Sequence, residues 1–317
     1  MENKNRVQED LISNEKSRKI GKAADSGNCG CLFICATPIG NLGDMTPRVI
    51  EALREADLIA AEDTRNSIRL LNHFAIKTPM TSYHEFNKYD KAEELVRKMQ
   101  EGKRVAIITD AGTPCISDPG EVLVQKCCEA GIPVTSLPGA SAVITALSVS
   151  GLSVRRFVFE GFLPPVKNKK ERQEALSRLR NEMRTMVLYE APHHLEATLS
   201  VLCDVLGGNR RISLCRELTK RYEEISRTTL SEALSSCQTR APKGEYVLVI
   251  EGRSTEELER EQAAAQEVQF AALSLSEHVQ SFIDRGMDKK EAMRAVAKER
   301  GISKREVYQA LIAEENQ

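Results

Sequence analysis

The sequence Thr37-Pro38-Ile39-Gly40-Asn41-Leu42-Gly43-Asp44 decides the fold of this chain. It follows a short apolar run, Cys31 to Ala36, and it precedes a helix start at Thr46-Pro47, where threonine suits the N-cap and proline the first helical position. A strand, a Pro/Gly turn and a helix in this order build the edge of a ligand cleft, because ligands of open α/β sheets lie outside the carboxyl ends of the strands. The turn matches neither G-x-G-x-x-G nor G-x-x-x-x-G-K-[ST], which argues against dinucleotide and triphosphate ligands.

The composition is that of a globular protein with room for two or three domains. The chain has 317 residues, of which 41% are hydrophobic and 29% charged, and its formal net charge is −1. Any basic surface for a nucleic acid or a membrane must therefore be local. No apolar run reaches the length of about 18 residues that a membrane helix needs, and no signal peptide is apparent. Nine cysteines, an odd number, fit reduced thiols in a cytoplasmic protein better than a disulfide framework.

Alternating strand and helix patterns predict an α/β fold with two α/β domains. The alternation in residues 31–150 predicts a largely parallel sheet. It starts again in residues 151–253, where Glu224 to Thr229 is interpreted as an antiparallel strand, so the second sheet is expected to be mixed. The polar composition of residues 1–30 predicts a disordered leader. Residues 254–271 are predicted to form a helical or loose linker. The other predicted strands are 32–35, 58–61, 105–108, 133–137, 157–159, 185–189, 211–215 and 246–250.

Residues 272–317 predict a separate helical domain. Asp288 with Glu291, and Ser303 with Glu306, have the spacing of capping boxes, and a Gly-containing turn separates the helices they begin. Helix, turn and helix at this spacing are typical of helix-turn-helix domains, which bind nucleic acids. A trihelical oligomerisation cap with a solvated basic face explains the same pattern, and both interpretations stay open. The basic side chains crowded here are Lys289, Lys290, Lys298, Arg300, Lys304 and Arg305.

The turn Ala61-Glu62-Asp63-Thr64-Arg65 brings two carboxylates to the end of the second predicted strand. Carboxylates at a strand end are costly unless they are paired or used. A salt bridge from Arg65, together with an N-cap at Asp63 or Thr64, would explain at least one of them. The pair is therefore a candidate for catalysis with a structural alternative.

Two later turns of the first domain are rich in small residues. The sequence TDAGTPCISDPG at 109–120 follows one strand and carries two carboxylates, and LPGASA at 137–142 follows the next strand and precedes a helix. Small residues allow a ligand to approach the backbone closely, and the start of a helix leaves N–H groups free to bind it. We therefore predict a ligand site at these turns.

The second domain adds the segments EAPHH at 190–194, RELTK at 216–220 and KGE at 243–245. The adjacent histidines His193 and His194 would not face one another on a strand or a helix, and no third ligand is spaced to join them. We therefore predict no metal site. The chain also contains neither a G-x-S-x-G nor an H-E-x-x-H motif.

In chain order, the motifs resemble those of the tetrapyrrole-methylase superfamily. The matching segments are TPIGNLGDMT, AEDTR, SYHEFN, TDAGTPCISDPG, LPGASA, GFLPP, RELTK and GEYVLVIEG. Within the superfamily they look like the S-adenosylmethionine-dependent enzymes that 2′-O-methylate the ribose of a cytidine in the decoding region of small-subunit (16S) rRNA. The resemblance spans residues 32–252, and residues 272–317 resemble the extra domain of that branch. The leader has no counterpart, and EAPHH departs from the usual E-[ST]-x-H-R pattern at Ala191 and His194.

The resemblance implies two α/β domains of tetrapyrrole-methylase type with the cofactor cleft between them, plus a small C-terminal helix-turn-helix-like domain. It also implies S-adenosylmethionine as the cofactor, a cytoplasmic homodimer, and small-subunit rRNA or the assembled small subunit as the partner. Transfer from a sulfonium requires in-line placement rather than a metal, and a ribose hydroxyl benefits from a nearby base. The candidate catalytic residues are Glu62, Asp63, Asp118 and His84, with Asp110 as a further local carboxylate. The candidate cofactor-binding residues are Pro38, Gly40, Asp110, Gly112, Thr113, Pro114, Ile116, Ser141, Ala142, Tyr189, Glu217 and Gly244. The candidate RNA-binding residues are Arg65, Lys220, Lys289, Lys290, Lys304 and Arg305.

Two other functions stay open. A methylase of a small tetrapyrrole-like or diphthine-type substrate would share the fold, but it would not need a basic tail, and a ligand absorbing visible light would favour it. A non-enzymatic RNA- or DNA-binding regulator would act through the tail, and failure to bind S-adenosylmethionine would favour it.

Overall fold

The computed structural model describes residues 30–260 and 273–315. The described residues form two compact units, one ending at Glu251 and the other beginning at Gly252. Apart from Gly30, the predicted leader at 1–30 lies outside the described residues, as does most of the predicted linker at 254–271. No helix of the described part is both long and apolar enough to cross a membrane.

The first sheet is parallel throughout, as its sequence predicts. Its strand order is β3-β2-β4-β1-β5. Helices cover both faces, so Leu32 packs into one apolar cluster and its neighbour Phe33 into another. Burial on both faces is the reason the three central strands, Cys31–Cys35, Leu58–Ala61 and Arg104–Ile108, are nearly continuous apolar runs rather than alternating ones. The strands are β1 (Cys31–Cys35), β2 (Leu58–Ala61), β3 (Met80–Ser82), β4 (Arg104–Ile108) and β5 (Val134–Leu137).

The helices of this first domain follow the strands in turn. The Thr46 hydroxyl accepts a hydrogen bond from the N–H of Val49 at 3.3 Å, which confirms the predicted N-cap. A short 3-10 turn at Leu42–Asp44 precedes it. The helices are α1 (Pro47–Glu55), α2 (Thr64–His73), α3 (Lys88–Gln100), α4 (Gly120–Glu129) and α5 (Ala142–Val149).

The second sheet is mixed, again as predicted. Its order is β6-β7-β10-β8-β9, in which β6 and β7 are parallel and the other pairs are antiparallel. The strands are β6 (Phe157–Phe162), β7 (Thr185–Glu190), β8 (Arg211–Arg216), β9 (Glu224–Thr229) and β10 (Tyr246–Ile250). The helices are α6 (Lys169–Arg180), α7 (Leu195–Leu206) and α8 (Leu230–Thr239).

Helix α5 joins the two sheets. It follows β5 of the first sheet, but Val143, Ala146 and Leu147 pack against Val187 and Val249 of the second sheet. The two α/β domains therefore share one apolar cluster, and the carboxyl edge of the first sheet faces the second domain.

In the described part of the second compact unit, residues 273–315 form helices around a small core. They are α9 (Leu275–Asp284), α10 (Lys289–Glu299) and α11 (Lys304–Glu315). Ser303 and Glu306 form the predicted capping box, whereas Asp288 caps α10 through its carboxylate alone, which accepts the N–H groups of Lys290 and Glu291. The core side chains include Val279, Phe282, Ala292, Val296, Val307 and Leu311.

Candidate functional site

The loops that follow β1 and β4 are joined by backbone hydrogen bonds. The N–H of Thr37 donates to the carbonyl of Gly112 at 2.9 Å, and the N–H of Gly112 donates back to Thr37 at 3.1 Å. The buried Thr37 hydroxyl also donates to the carbonyl of Thr109 at 3.1 Å. These bonds fix the first turn of the sequence against TDAGTP at the carboxyl edge of the sheet.

The loop after β5 packs against these two loops through small residues. A Cβ on Gly139 would lie 2.7 Å from the Cβ of Ala36, so only glycine allows this approach. The Thr113 hydroxyl donates to the carbonyl of Ala140 at 3.1 Å. The structure thus brings together the three loops that the sequence selects as cofactor-binding. We call these three loops the cradle; none of them has the sequence of a phosphate-binding loop.

The second domain contributes the loop after β8. A Cβ on Gly40 would lie 2.4 Å from Cγ of Lys220, so the first loop touches this segment directly. The Lys220 ammonium lies 2.9 Å from Glu217 Oε1 and 2.8 Å from Glu245 Oε2. Gly244 has a φ of +83° and packs on the Glu217 side chain. Lys220 therefore holds the wall of the cleft together, and its predicted RNA contact stays a prediction.

An aromatic cluster lines this junction. Tyr189 lies with its ring centroid 5.0 Å from that of Phe159 and 5.5 Å from that of Phe162. It shares an apolar cluster with Ile39 and Ala142 of the first domain. Burial raises the pKa of the Tyr189 phenol, which therefore stays neutral. The apolar part of a bound ligand would find its surface here.

Glu62 is held at the edge of the sheet by hydrogen bonds to only one of its two carboxylate oxygens. Thr109 Oγ1 donates to Glu62 Oε2 at 2.5 Å, and the N–H of Asp110 lies 3.5 Å from the same atom. Glu62 Oε1 has no hydrogen-bond partner within the described residues. The carboxylate is therefore oriented by its neighbours and still able to accept a proton or a hydrogen bond.

Asp63 is held by Arg65. It caps α2, and both of its carboxylate oxygens accept from Arg65, at 2.8 Å from the backbone N–H, 3.1 Å from Nε and 2.8 Å from Nη2. The hydrogen bonds from the Arg65 side chain lower the pKa of Asp63 to about 2. A carboxylate of such low basicity, with both oxygens engaged, suits a structural role better than proton transfer.

Asp118 organises the loop between β4 and α4. Its carboxylate accepts the N–H groups of Cys115 at 2.8 Å and Gly120 at 2.7 Å. Cys115 and Ser117 have φ values of +71° and +60°, so the carboxylate stabilises a strained backbone. Burial raises the pKa of Asp118 against these hydrogen bonds, and the nearby charge of Glu62 raises it further. Asp118, Glu62 and Tyr83 line one small pocket.

His84 and Asp110 complete the predicted acid–base group. The N–H of His84 donates to Asn87 Oδ1 at 2.8 Å, whereas its buried Nδ1 makes no hydrogen bond within the described residues. Asp110 is exposed and accepts from Asn66 Nδ2 at 3.1 Å.

The remaining predicted site residues differ in exposure. Pro114 is buried, Pro38 and Ser141 are half-buried, and the Ile116 side chain is 57% exposed at the tip of its loop. Sequence reasoning missed Gly161, where a Cβ would lie 3.1 Å from Ser117 Oγ of the first domain. A glycine inside a strand pattern is the signal that indicates such a close approach.

The predicted RNA-binding side chains of the helical unit lie on its surface. Lys289, Lys290 and Arg305 are exposed and Lys304 is half-buried. Arg300 is different, since its guanidinium donates to Nδ1 of the buried His278 at 3.0 Å and to the carbonyl of Leu273 at 2.6 Å. Arg300 is thus part of the fold of this unit.

A groove of about 490 Å³ lies on the other face of the second sheet, between β9 and α8. Its lining carries charges of both signs: Arg216 pairs with Glu224 at 2.9 Å, Glu232 caps α8, and Arg240 and Lys243 also line the groove. Within the described residues no cluster of three His, Cys, Asp or Glu side chains could hold a metal ion. We prefer the carboxyl edge of the first sheet as the candidate site, because the three loops that the sequence selects meet there.

The sequence and the fold match a known class. A family described as Tetrapyrrole (Corrin/Porphyrin) Methylases matches residues 32–234. Uroporphyrin-III-C-methyltransferase from Thermus thermophilus has the same fold, with a TM-score of 0.50 and 17% identity over 69% of this chain and 94% of that chain. A diphthine synthase has a TM-score of 0.54 and 13% identity over 70% of this chain and 90% of that chain. The chain is thus a methylase of the tetrapyrrole type by fold.

More similar relatives specify the branch. Proteins named ribosomal RNA small subunit methyltransferase I are 47% identical in Synechocystis sp., over 88% of this chain and 96% of the relative. They are 43% identical in Bacillus subtilis, over 89% and 94%, and 49% identical in Haemophilus influenzae, over 71% and 79%. The chain belongs to the ribosomal RNA small subunit methyltransferase I family. Methyltransferase activity is what the family and these names support.

Proposed function

We propose that this protein uses S-adenosylmethionine to methylate the 2′-hydroxyl of a cytidine ribose in the decoding region of 16S rRNA. The observation that carries the proposal is the extent of its similarity to the Synechocystis relative. The alignment covers 280 residues, more than the residues up to Glu251 supply, so it reaches into the C-terminal helical unit. The cytidine, the 2′-oxygen and the decoding region come from the motif resemblance described above.

The site fits a sulfonium donor. S-adenosylmethionine carries no phosphate, and the cradle of three loops offers backbone and small side chains rather than a phosphate-binding turn. When bound, it supplies a methyl group already activated by positive charge. Glu62, Asp110 and Asp118 place carboxylates along this edge, and such charge favours a cationic ligand. Gly112, Thr113 and Ala142 would contact the donor from the first domain, and Tyr189, Glu217 and Gly244 from the second.

The residue best placed to help the acceptor is Glu62. A ribose hydroxyl is a weak nucleophile, so the rate rises when a base takes its proton as the carbon–oxygen bond forms. Glu62 is oriented by Thr109 and keeps Oε1 available, whereas Asp63 is neutralised by Arg65 and Asp118 is engaged by backbone N–H groups. We therefore assign the proton-accepting role to Glu62 and positioning roles to Asp63 and Asp118.

We further propose a cytoplasmic homodimer whose partner is the small-subunit rRNA, free or in the assembled subunit. The test is ribose-methylation mapping of small-subunit rRNA from cells with and without the gene, combined with transfer of labelled methyl groups by the purified protein. Loss of one cytidine modification in the deletion strain, restored by the purified protein, is the expected result. An unchanged rRNA pattern together with methylation of a tetrapyrrole or a diphthine precursor would overturn the proposal.

A further inference from the structure

Phe86, in the loop between β3 and α3, is 97% exposed, more than any other large apolar side chain in the described part of the chain. Tyr89, at the start of α3, is 64% exposed. The Lys88 ammonium lies 5.4 Å from the centroid of the Tyr89 ring. Two aromatic faces are thus presented to solvent within one turn of chain.

The exposure of Phe86 is built into a fixed turn. Asn87 Oδ1 accepts from the N–H of His84 at 2.8 Å, Asn87 Nδ2 donates to the carbonyl of Ser82 at 3.3 Å, and the N–H of Asn87 donates to His84 at 3.0 Å. The His84 and Phe86 ring centroids are 6.1 Å apart in an edge-to-face arrangement. His84 is therefore a neighbour of the Phe86 ring, which stays almost entirely open to solvent.

This turn leaves the sheet beside the candidate catalytic edge. Ala61 pairs with Ser82, and the N–H of Tyr83 donates to the carbonyl of Ala61 at 2.8 Å, so Glu62 and Tyr83 emerge side by side. Tyr83 lines the same pocket as Glu62 and Asp118. Phe86 lies three residues after Tyr83 in the chain, so its exposed ring follows directly from this edge.

The chemistry around Phe86 favours a nucleobase. Lys88 is paired with Glu85 and Lys91 with Glu94, so the turn has little positive charge to recruit phosphates. Stacking on an aromatic face contributes about 1–3 kcal/mol per unpaired base, and the phosphates beside that base would be bound by basic side chains elsewhere on the protein. A stable protein interface buries about 800 Å² on each partner around a core depleted of charge, whereas exposed Glu85 and Asp90 flank these two rings.

We propose that Phe86 is a stacking platform for an unpaired base of the RNA substrate, next to the nucleotide whose ribose is methylated, and that Tyr89 extends it. The proposal rests on the proposed function. It adds that the substrate must present at least one unstacked base beside its target ribose, which excludes a continuous duplex at this position.

The test uses full-length protein, a single-stranded RNA containing 2-aminopurine, and small ribosomal subunits that lack the modification. Phe86→Ala and Phe86→Leu should weaken RNA binding about 5- to 100-fold, raise KM for the subunit and reduce 2-aminopurine quenching. Phe86→Trp should stay within about twofold of the wild type, because it keeps the aromatic face. Affinity for S-adenosylmethionine and the thermal midpoint should be unchanged in all three.

Each contrary outcome has a distinct meaning. Wild-type affinity of Phe86→Leu would show an apolar contact without stacking and overturn the proposal. The proposal would also be overturned if Phe86→Ala had a lower mass by light scattering and an unchanged RNA affinity. That result would identify Phe86 as a contact between copies of the chain. If the wild-type protein neither binds nor methylates RNA, the proposed function fails and this inference fails with it. If the wild type methylates RNA and Phe86→Ala does so equally well, this inference alone is wrong.

Discussion

Thr109 Oγ1 lies 2.5 Å from Glu62 Oε2, a hydrogen bond that joins the carboxyl ends of β4 and β2. The bond orients one oxygen of the carboxylate and leaves the other facing away from it. We expect Glu62→Gln to reduce the single-turnover methylation rate about 10²- to 10⁴-fold, because the amide cannot accept the proton of the ribose hydroxyl. Affinity for S-adenosylmethionine should change little. Rapid-quench kinetics and calorimetry measure the two effects.

Asp63→Asn is the matched control, since it removes the adjacent carboxylate charge and keeps a side chain that caps α2. Its rate should fall less than tenfold. Equal losses in the two variants would return Asp63 to the catalytic group, and full activity in both would make the pair structural and leave Asp118 or His84 as the base.

Ala142 begins α5 beside the loops of the cradle. We expect Ala142→Trp to abolish S-adenosylmethionine binding, because the indole would occupy the space beside Thr113 and Tyr189. Ile144→Trp is the control, since it adds an indole to the same helix at a side chain that is 54% exposed. Calorimetric titration compares them, and circular dichroism confirms folding. Normal binding by a folded Ala142→Trp variant would remove this site assignment.

Gly244 allows the second domain to form its side of the cleft. Its φ is +83°, and a Cβ there would lie 2.5 Å from Cγ of Glu217. Gly207 has a similar φ of +88° with nothing within 4 Å of the same added atom. Gly207→Ala should therefore lower the free energy of unfolding by about 1–3 kcal/mol through backbone strain alone. Gly244→Ala should lower it by about 1–3 kcal/mol more, because the added Cβ is also crowded. Urea unfolding tests the difference, and equal losses would show that Glu217 moves freely.

Helices α6 and α10 each begin with two exposed lysines and a glutamate. These are Lys169-Lys170-Glu171 in α6 and Lys289-Lys290-Glu291 in α10. If the helical unit binds RNA through phosphates, replacing Lys289 and Lys290 by Gln should reduce the slope of log affinity against log salt by about 1.4 for a single strand. The same change at Lys169 and Lys170 should leave the slope unaltered. Deleting residues 272–317 should flatten it further while S-adenosylmethionine binding survives. An altered oligomeric state with an unchanged slope would instead support the trihelical cap.

The sequence was sufficient for most of the architecture. The buried strands β1, β2 and β4 were predictable because both of their faces are apolar. Edge strand β5 was predicted as a compact run with β-branched residues, although of its four residues only Leu137 is buried. Strand β3 was not predicted, since Met80–Ser82 has three residues and none is fully buried. The extent of helix α2 was not predicted either: the sequence suggested only its N-cap, at Asp63 or Thr64, and just two of its side chains, Ser67 and Leu71, are buried.

The sequence was sufficient to predict that the candidate residues lie in loops after neighbouring strands, but not the contacts that each side chain makes. Glu62 and Asp63 are equivalent by sequence, and they differ only because the Arg65 side chain folds back onto Asp63. The sequence alone suggests that Lys220 is a surface cation. In the fold it pairs with Glu245, which is 25 residues further along the chain. Such differences depend on rotamers and on long-range contacts, which residue spacing does not contain.

Helix α5 belongs to the first sheet by connectivity and to the second by packing. A chain cut near Gly151 would therefore not release two autonomous halves. The first fragment would expose Val143, Ala146 and Leu147, and the second would expose the face of its sheet that contains Val187 and Val249. Either fragment would be expected to aggregate alone and to recover its fold only when the other is present. The two halves of the methylase are thus one cooperative folding unit, and any recombination between family members should keep residues 142–149 with the sheet that they cover.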